Sequence, residues 1–250
     1  MTVKTWSVHD VYEALKDVTL GGKICLYTPE ICEKLAPKIN RILELKEEKD
    51  AVLLAHSYVV PEIVRCVADF VGDSYGLSKQ VKTVSQKTIV FAAVKFMAET
   101  AKLLNPEKRV VVPSSFNGCS LADSITGNDV RQLRQQYPDY TFMCYVNTTA
   151  EIKSELDYCC TSSNAVNVVK AIPDDKEILF LPDMFLGSYV AKVTGRKNML
   201  IWAGECHVHA GITPKDVRDK GHVPTNGSVF FTIFQSFMSG PENKPYFGQY

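Results

Sequence analysis

The 250-residue sequence lacks the features that mark several specialised classes of protein. Its 28 Lys and Arg residues are matched by 28 Asp and Glu residues, so no charge excess favours nucleic acid or an acidic membrane surface. The first residues contain no basic stretch followed by an apolar one, which argues against a secretion signal. The longest apolar runs, such as TIVFAAV, are far shorter than the roughly 20 residues that span a bilayer. We therefore expect a cytoplasmic protein that acts on neither nucleic acid nor membrane.

The glycines and cysteines are not arranged in the common binding motifs. No G-x-G-x-x-G or P-loop pattern is present, so a dinucleotide-binding or P-loop function has no support. No two of the eight cysteines have the C-x-x-C spacing of a zinc knuckle or redox motif, and we expect reduced thiols without disulfides. Six cysteines are predicted to be small buried hydrophobic side chains: Cys25, Cys32, Cys66, Cys144, Cys159 and Cys160.

Short apolar runs rich in β-formers alternate with amphipathic helical patterns along the chain. The predicted strands cover residues 51–57, 88–94, 109–115, 140–147, 177–183 and 198–204. One predicted helix opens at Pro61, and the others cover residues 96–105, 129–137, 150–157, 163–172 and 186–195. Continuous apolar strands alternating with helices are typical of a parallel sheet covered on both faces. We predict an α/β fold of repeated three-layer α/β/α units.

Polar side chains follow the predicted strands, where open α/β sheets bind their ligands. They occur as His56-Ser57-Tyr58, Ser114-Ser115, Tyr145-Val146-Asn147, Pro182-Asp183 and Gly204-Glu205-Cys206. Any one of these side chains could serve only as a helix cap. Together they predict one polar pocket at the carboxyl ends of the strands.

Cys119 and Cys206 occupy the same place in two strand–loop–helix units, in the segments SSFNGCSLADS and GECHVHAG. They lie 87 residues apart, with two further strand–helix alternations between them, and this predicts an internal repeat of about that length. A third equivalent cysteine would fall near position 293, by adding 87 to 206, and this sequence ends at residue 250. The spacing predicts a shared centre on a pseudo-symmetry axis, to which this sequence brings two thiols.

Eight segments resemble the quinolinate synthase family and run in that family's order over roughly residues 20–220. They are LLAHSYVVPEI, DFVGDSYGLS, VFAAVKFMAETAKLLNP, NGCSLADS, YVNTTAEIKS, CTSSNAV, LFLPDMFLGSYVAKVTGR and GECHVHAGITP. The resemblance implies three similar α/β layers in a pseudo-threefold arrangement around a [4Fe–4S] cluster. Each layer contributes one cysteine, and one iron stays open for substrate. Cys119 and Cys206 match the first two cluster ligands, and thiolates are the donors that such clusters take.

The resemblance also implies a transferase of NAD biosynthesis, which condenses iminosuccinate with dihydroxyacetone phosphate to give quinolinate. It implies a functional link to L-aspartate oxidase or aspartate dehydrogenase. The residues that match iminosuccinate-binding positions are His56, Ser74, Tyr145, Asn147 and Ser162. Tyr58 matches an acid–base tyrosine, and His209 matches a histidine near the cluster. Two of these have plain structural alternatives, because Ser74 could cap the helix SYGLSKQV and Asn147 with Thr148 could begin a helix.

The resemblance divides the chain into four parts. Residues 1–118 form a first layer with N-terminal helices, 119–205 a second layer, 206–222 the start of a third, and 223–250 a divergent tail. Beyond about residue 220 the family's His-Pro-Glu and Gly-Ser-Thr-Ser segments and its third cysteine are absent, and an aromatic-rich tail follows. We therefore expect a chain truncated within its third layer, with weak or no activity and an incomplete cluster.

Two other functions stay open from the sequence. The first is a dicarboxylate-binding module that has lost the cluster. The second is a zinc hydrolase using Cys206, His207 and His209. Zinc needs three or four protein ligands, and a Cys-x-x-His pair supplies two at most. His207 has no counterpart in the resembling family, and we expect a surface residue.

Overall fold

The computed structural model describes residues 5–20, 24–206 and 210. These residues divide into two compact units, one ending at Ser115 and the other beginning at Phe116. Apart from Cys206 and Ala210, the segments predicted as a third layer and a tail lie outside the described residues. Within the described part of the chain, no helix is both long enough and apolar enough to cross a membrane.

The first unit is built on a four-stranded parallel sheet. Its elements are α1 (Val8–Leu15), β1 (Thr19–Leu20), β2 (Ile24–Cys25), α2 (Pro29–Glu48), β3 (Ala51–His56), α3 (Pro61–Cys66), β4 (Phe70–Gly72), α4 (Ser74–Gln80), β5 (Thr88–Ala92), α5 (Lys95–Leu104) and β6 (Arg109–Val111). The strand order is β4-β3-β5-β6, while β1 and β2 form a separate antiparallel pair. The helix predicted to open at Pro61 does so, because proline fits a first turn that needs no N–H.

The first sheet is covered on both faces. Leu53 and Ala55 of β3 pack with side chains of α1, α2 and α3 in one apolar cluster. Leu54 points to the other face, since successive side chains alternate along a strand, and it is fully buried as well. The helices α4 and α5 contact each other, and they also contact β3, β4 and β6.

The second unit repeats this architecture. Its elements are α6 (Gly127–Gln136), β7 (Thr141–Tyr145), α7 (Ala150–Ser154), β8 (Tyr158–Cys160), α8 (Ala165–Ala171), β9 (Ile178–Leu181), α9 (Met184–Thr194) and β10 (Met199–Ile201). All strands are parallel, in the order β8-β7-β9-β10. Phe142 packs with α6 and α7, whereas Met143 packs with α8 and α9 on the other face. The predicted α/β class with parallel, helix-covered sheets is confirmed.

The two sheets share one connectivity, in which the second strand lies outside the first and the third and fourth follow on the other side. The first strands, β3 and β7, begin at residues 51 and 141, which are 90 residues apart. The second, third and fourth strands of the two units are offset by 88, 90 and 90 residues. The chain therefore contains an internal repeat of about 90 residues.

A carboxylate occupies the same place in both repeats and ties the second strand to the first. Asp69 Oδ2 accepts a hydrogen bond from the backbone N–H of Leu53 at 2.8 Å, and Asp157 Oδ2 accepts one from Phe142 at 2.8 Å. Each carboxylate also forms an ion pair with a basic side chain of the helix that precedes the first strand of its sheet, α2 or α6: Lys46–Asp69 at 2.8 Å and Arg134–Asp157 at 2.9 Å. The equivalence of the two units thus extends to individual hydrogen bonds.

All eight cysteines lie within the described residues, and no disulfide joins any two of them. Of the six predicted to be buried, four are: Cys32, Cys66, Cys144 and Cys160. Cys25 is only half-buried, and Cys159 is exposed, so the prediction was wrong for both. Cys159 is exposed because its strand, β8, lies at the edge of its sheet.

Candidate functional site

In the first unit, the central strand β3 ends on a histidine that the fold buries completely. His56 is 0 % exposed, and its ring stacks on the ring of Tyr58 with a centroid distance of 4.0 Å. The backbone N–H of Tyr58 donates to Nδ1 of His56 at 3.4 Å. Because Nδ1 accepts this bond, the proton of the neutral ring belongs on Nε2.

The Nε2 atom of His56 is buried and has no hydrogen-bond partner among the residues that the structure describes. Burial lowers the pKa of His56 to about 3, so the imidazole is neutral at pH 7. The end of β3 therefore presents a neutral N–H donor without an acceptor. A carboxylate oxygen of a ligand is a suitable acceptor for such a group.

Tyr58 and Ser74 follow adjacent strands of the first sheet. His56 lies in register with Gly72, and Tyr58 and Ser74 each come two residues later in the chain. The Tyr58 hydroxyl oxygen accepts a hydrogen bond from the backbone N–H of Val94 at 3.2 Å, at the start of α5. This contact fixes the position of the phenol oxygen.

Ser74 is the first residue of α4, and it is half-buried. The capping residue of that helix is Asp73, whose carboxylate accepts from the backbone N–H of Gly76 at 2.6 Å. The alternative that Ser74 serves as the helix cap is therefore wrong. A sequence signal for this was available, since aspartate is as good a cap as serine and precedes it directly.

In the second unit, three candidate residues follow the neighbouring strands β7 and β8. Tyr145, the last residue of β7, lies in register with Cys160, the last residue of β8. Asn147 and Ser162 each come two residues later, so they occupy matching positions beyond the two strands. Ser162 is also the counterpart of Ser74 in the repeat, since each follows its second strand by two residues.

Asn147 has a buried side-chain oxygen, Oδ1, for which the described part of the chain offers no hydrogen-bond partner. The cap of α7 is Thr149, whose hydroxyl accepts from the backbone N–H of Ile152 at 3.3 Å. The alternative that Asn147 and Thr148 begin this helix is therefore wrong. As oriented, the amide of Asn147 presents Oδ1 as an acceptor, and a half-turn of the amide would present Nδ2 as a donor instead.

Tyr145 is 6 % exposed and lies in the apolar cluster between the sheet and α8 and α9. Burial raises its pKa, and the negative charge of Asp183 raises it further. The phenol is therefore protonated at neutral pH and can donate a hydrogen bond. The thiols of Cys119 and Cys206 also act on it electrostatically, so all three side chains lie close together.

Cys119 and Cys206, the two predicted cluster ligands, come together within the second unit. Both are half-buried, and both pack against the same apolar cluster. Burial raises the pKa of Cys119 and the nearby Cys206 adds to the rise, whereas backbone N–H donors of Ala122 and Leu121 lower it. The two thiols are thus electrostatic neighbours, and the backbone N–H groups of Ala122 and Leu121 lie near the Cys119 sulfur, as donors do around iron–sulfur ligands.

Gly204 permits the loop of Cys206 to approach the loop of Cys119. A Cβ atom at residue 204 would lie 2.4 Å from the carbonyl oxygen of Pro182 and 2.6 Å from Oγ of Ser124. Ser124 closes the turn that follows Cys119, and its hydroxyl donates to the carbonyl of Leu121 at 2.8 Å. The sequence pattern indicates that Gly204 follows a strand, but the need for a glycine there depends on distances between loops and is not visible in the sequence.

Asp183 holds the strand exit beside Gly204. It is buried, and one carboxylate oxygen accepts from the backbone N–H groups of Phe185 at 2.9 Å and Leu186 at 2.8 Å at the start of α9. Its backbone bridges to Gly204, whose carbonyl accepts from Met184 at 2.9 Å. Asp183 therefore fixes the path of the chain leading to Cys206.

The donor set fits part of an iron–sulfur centre, because it offers two soft thiols with backbone N–H groups around one of them. Within residues 5–20, 24–206 and 210, no three His, Cys, Asp or Glu side chains are grouped to hold a metal ion. His207 and His209 lie outside the described residues, so the catalytic prediction for His209 stays a prediction. Of the three ligands in the zinc alternative, Cys206 is the one that the structure describes.

The fold and these side chains define a class: an α/β protein of repeated layers, with polar side chains after its strands and two neighbouring thiols, Cys119 and Cys206. Residues 40–230 match the family model described as Quinolinate synthetase A protein. The chain belongs to this family, and the resemblance seen in the sequence is confirmed.

Curated quinolinate synthases from mycobacteria are the relatives that matter here. The protein from Mycobacterium sp. (strain KMS) is 51 % identical over 198 residues, covering 79 % of this chain and 58 % of the relative. Those of Mycobacterium tuberculosis (strain ATCC 25618 / H37Rv) and Mycobacterium leprae (strain Br4923) are 49 % and 48 % identical over the same length, with 79 % of this chain and 56 % and 55 % of the relatives covered. The chain spans a little over half the length of these relatives.

Proposed function

We propose that this chain contributes two layers of a quinolinate synthase, which condenses iminosuccinate with dihydroxyacetone phosphate to give quinolinate, phosphate and water. The observation that carries the proposal is one buried polar atom in each unit, Nε2 of His56 and Oδ1 of Asn147, that has no partner among the described residues. A buried polar atom without a partner costs about 1–3 kcal/mol, so it makes sense where a ligand supplies the partner. Both atoms belong to residues that the family resemblance assigns to iminosuccinate.

The proposed roles follow from the state of each side chain. The neutral Nε2–H of His56 and the protonated phenol of Tyr145 donate to carboxylate oxygens, as do the hydroxyls of Ser74 and Ser162. Asn147 contributes its amide. Neutral donors hold a dicarboxylate without placing a fixed positive charge beside the reacting carbons.

Tyr58 is proposed as the acid–base residue in tautomerisation of the sugar phosphate. Its oxygen is held by the N–H of Val94, and its own proton is the one to be moved. His209 is proposed as a second catalytic residue from the resemblance alone. By the same resemblance we propose a cytoplasmic protein whose iminosuccinate comes from L-aspartate oxidase or aspartate dehydrogenase.

Cys119 and Cys206 are proposed to hold a [4Fe–4S] cluster, which when bound supplies a Lewis-acidic iron with an open coordination position. No cysteine follows Cys206 in these 250 residues. A polypeptide of these 250 residues thus brings two of the proposed thiolate ligands to the cluster. We therefore expect bound iron that is labile or substoichiometric.

Anaerobic reconstitution with iron and sulfide tests this proposal. Iron, sulfide and the brown charge-transfer absorbance should appear in the wild-type chain and be lost in Cys119→Ser and Cys206→Ser. Cys25→Ser is the matched control, because Cys25 is also half-buried but belongs to the first unit. Iron binding that is indifferent to Cys119→Ser and Cys206→Ser would refute the cluster assignment.

The dicarboxylate site is tested separately by calorimetry with succinate, a stable dicarboxylate. His56→Phe and Asn147→Leu should each weaken binding about tenfold or more, since each removes a hydrogen-bonding group from the ligand. Succinate binding by a chain that never takes up iron would favour the module that has lost its cluster. Binding unchanged by both substitutions would refute the dicarboxylate assignment.

A further inference from the structure

Two cysteines face each other across adjacent strands of the second sheet, apart from the candidate cluster ligands. Cys144 of β7 is the register partner of Cys159 of β8. Adjacent strands lie about 4.7–4.9 Å apart, within the roughly 4.4–6.8 Å between Cα atoms that a disulfide spans. Each thiol also shifts the pKa of the other, as expected for sulfur atoms that lie near each other.

The two thiols have opposite surroundings. Cys159 is exposed on the edge strand, whereas Cys144 is fully buried beneath it and accepts from Thr148 Oγ1 at 3.6 Å. Lys153 of α7 lies close by, with its ammonium held by the carbonyl of Val146 at 2.9 Å and by that of Thr148. The neighbouring Cys144 thiol and the charge of Lys153 together lower the pKa of Cys159 to about 7, against partial desolvation of its sulfur by the atoms around it.

The pair lies on the face of the sheet opposite the candidate site. Cys144 packs with Phe142 and Ile152 on the side of α6 and α7, whereas Tyr145 and Cys160 pack on the side of α8 and α9. The second side is also where Cys119 and Cys206 lie. The chemistry of Cys144 and Cys159 is thus independent of the proposed cluster and of the proposed function.

We propose that Cys144 and Cys159 form a peroxide-reactive dithiol, in which Cys159 is the reacting thiol and Cys144 the resolving one. The Cys159 thiolate attacks hydrogen peroxide, forming an S–O bond as the O–O bond breaks, and the departing hydroxide takes up a proton to become water. The thiol of Cys144 then attacks the sulfenic sulfur, an S–S bond forms, and a second water leaves. Two thiols and one peroxide thus give one disulfide and two waters.

The expected reactivity follows from the fraction of thiolate. At pH 7 a thiol of pKa about 7 is half ionised, whereas one of pKa about 9 is ionised to about 1 %, a ratio of about 50. The lower basicity reduces intrinsic nucleophilicity by about six- to tenfold over two pKa units. Cys159 should therefore be alkylated about five- to eightfold faster than an unperturbed exposed thiol. Burial raises the pKa of Cys160, which should react far more slowly.

Peptide mapping of the full chain after treatment with hydrogen peroxide tests the proposal. Trypsin cuts after Arg134, Lys153 and Lys170, so Cys144 falls in peptide 135–153 and Cys159 in peptide 154–170. We expect these two peptides to become joined by a bond that dithiothreitol cleaves. The Cys160→Ala variant is the matched control, because it leaves Cys159 as the only cysteine of its peptide and should give the same product.

Two variants separate the steps of the reaction. In Cys159→Ala, Cys144 should stay reduced, since the reacting thiol is gone. In Cys144→Ser, which keeps a hydrogen-bond donor beside Cys159 but has no resolving sulfur, Cys159 should accumulate as a sulfenic acid that dimedone traps. Wild-type alkylation no faster than that of a reference thiol of pKa 9, or oxidation of Cys159 with no joined peptides, would overturn the proposal.

Discussion

The buried histidine at the end of β3 makes the stability of the chain depend on pH in a defined direction. In the native protein burial lowers the pKa of His56 to about 3, whereas in the unfolded chain the ring titrates near 6.5. Between these values the unfolded state binds one more proton than the native state. The free energy of unfolding therefore falls as the pH drops below about 6.5, and this contribution is intact above that pH.

The size of the effect at moderately acid pH is set mainly by the unfolded state. A pH of about 5 lies about 1.5 units below the pKa of the ring in the unfolded chain. At about 1.36 kcal/mol per unit, the free energy of unfolding therefore falls by about 2 kcal/mol. The figure hardly changes for any native pKa below about 4, so it does not depend on the depth of the shift. His56→Phe removes the titrating group, keeps a ring to stack on Tyr58, and removes the unpartnered Nε2.

Urea unfolding followed by circular dichroism, at about pH 7.5 and about pH 5, measures the effect as a difference between wild type and variant. His56→Phe should lose about 2 kcal/mol less than wild type on acidification, whatever the loss of the hydrogen bond from the Tyr58 N–H costs at the higher pH. The control is His9→Gln, at an exposed position of α1, which should keep the wild-type dependence. Equal pH dependence in wild type and His56→Phe would refute the assignment of a buried neutral imidazole.

Two further predictions concern the backbone frame and use the same urea assay. Gly204→Ala should lower the free energy of unfolding by about 2–4 kcal/mol, because its Cβ would lie 2.4 Å from the carbonyl oxygen of Pro182 and the shift would also strain the hydrogen bond from Met184 to the Gly204 carbonyl. Gly72→Ala, whose Cβ would have its nearest contact at 3.5 Å, should lower it by less than about 1 kcal/mol. Equal costs in the two variants would contradict the steric argument. Asp69→Ala and Asp157→Ala should each cost about 1–3 kcal/mol, because each leaves an N–H of the first strand without its 2.8 Å partner. A large cost in one repeat and none in the other would contradict the equivalence of the two units.

Three strands of each four-stranded sheet were predictable from the sequence, whereas the second strand of each, β4 or β8, was not. Runs such as 51–57 and 177–183 are apolar at nearly every position, because the strands they contain, Ala51–His56 and Ile178–Leu181, are buried on both faces. The strands Phe70–Gly72 and Tyr158–Cys160 each lie at one edge of a sheet and have three residues, most of which are accessible to solvent. Their pairing depends on the neighbouring strand and on Asp69 or Asp157, which no local pattern reveals.

The candidate site was predictable to the level of which residues leave the sheet at its carboxyl edge. The order of strands and loops in the sequence is enough to place Tyr145 and Asn147 there, whereas Ser162 follows the unpredicted strand β8 and was indicated by the family resemblance alone. It does not reveal that the side-chain oxygen of Asn147 lacks a partner, or that Gly204 must be a glycine. Both depend on distances between segments that are far apart in the chain.

The two units have equivalent strands but different loops after them, and this explains why the spacing of the two cysteines differs from that of the strands. The fourth strands of the two units are offset by 90 residues, but Cys119 and Cys206 are only 87 apart. Cys119 lies eight residues beyond the end of β6 at residue 111, whereas Cys206 lies five beyond the end of β10 at residue 201. The loop of the second unit is therefore three residues shorter, which accounts for the whole difference.

The same divergence separates the chemistry of the two units. At the offset of 90 residues the position of His56 corresponds to Val146, and that of Asn147 corresponds to Ser57. The first unit thus brings an imidazole donor to its central strand exit, and the second brings an amide. Ser74 and Ser162 remain alike, because each follows an edge strand that an aspartate at the equivalent position, Asp69 or Asp157, binds to the neighbouring strand. Substitutions at these two aspartates should therefore disturb both units alike, whereas substitutions at the exits should remove a different hydrogen bond from each.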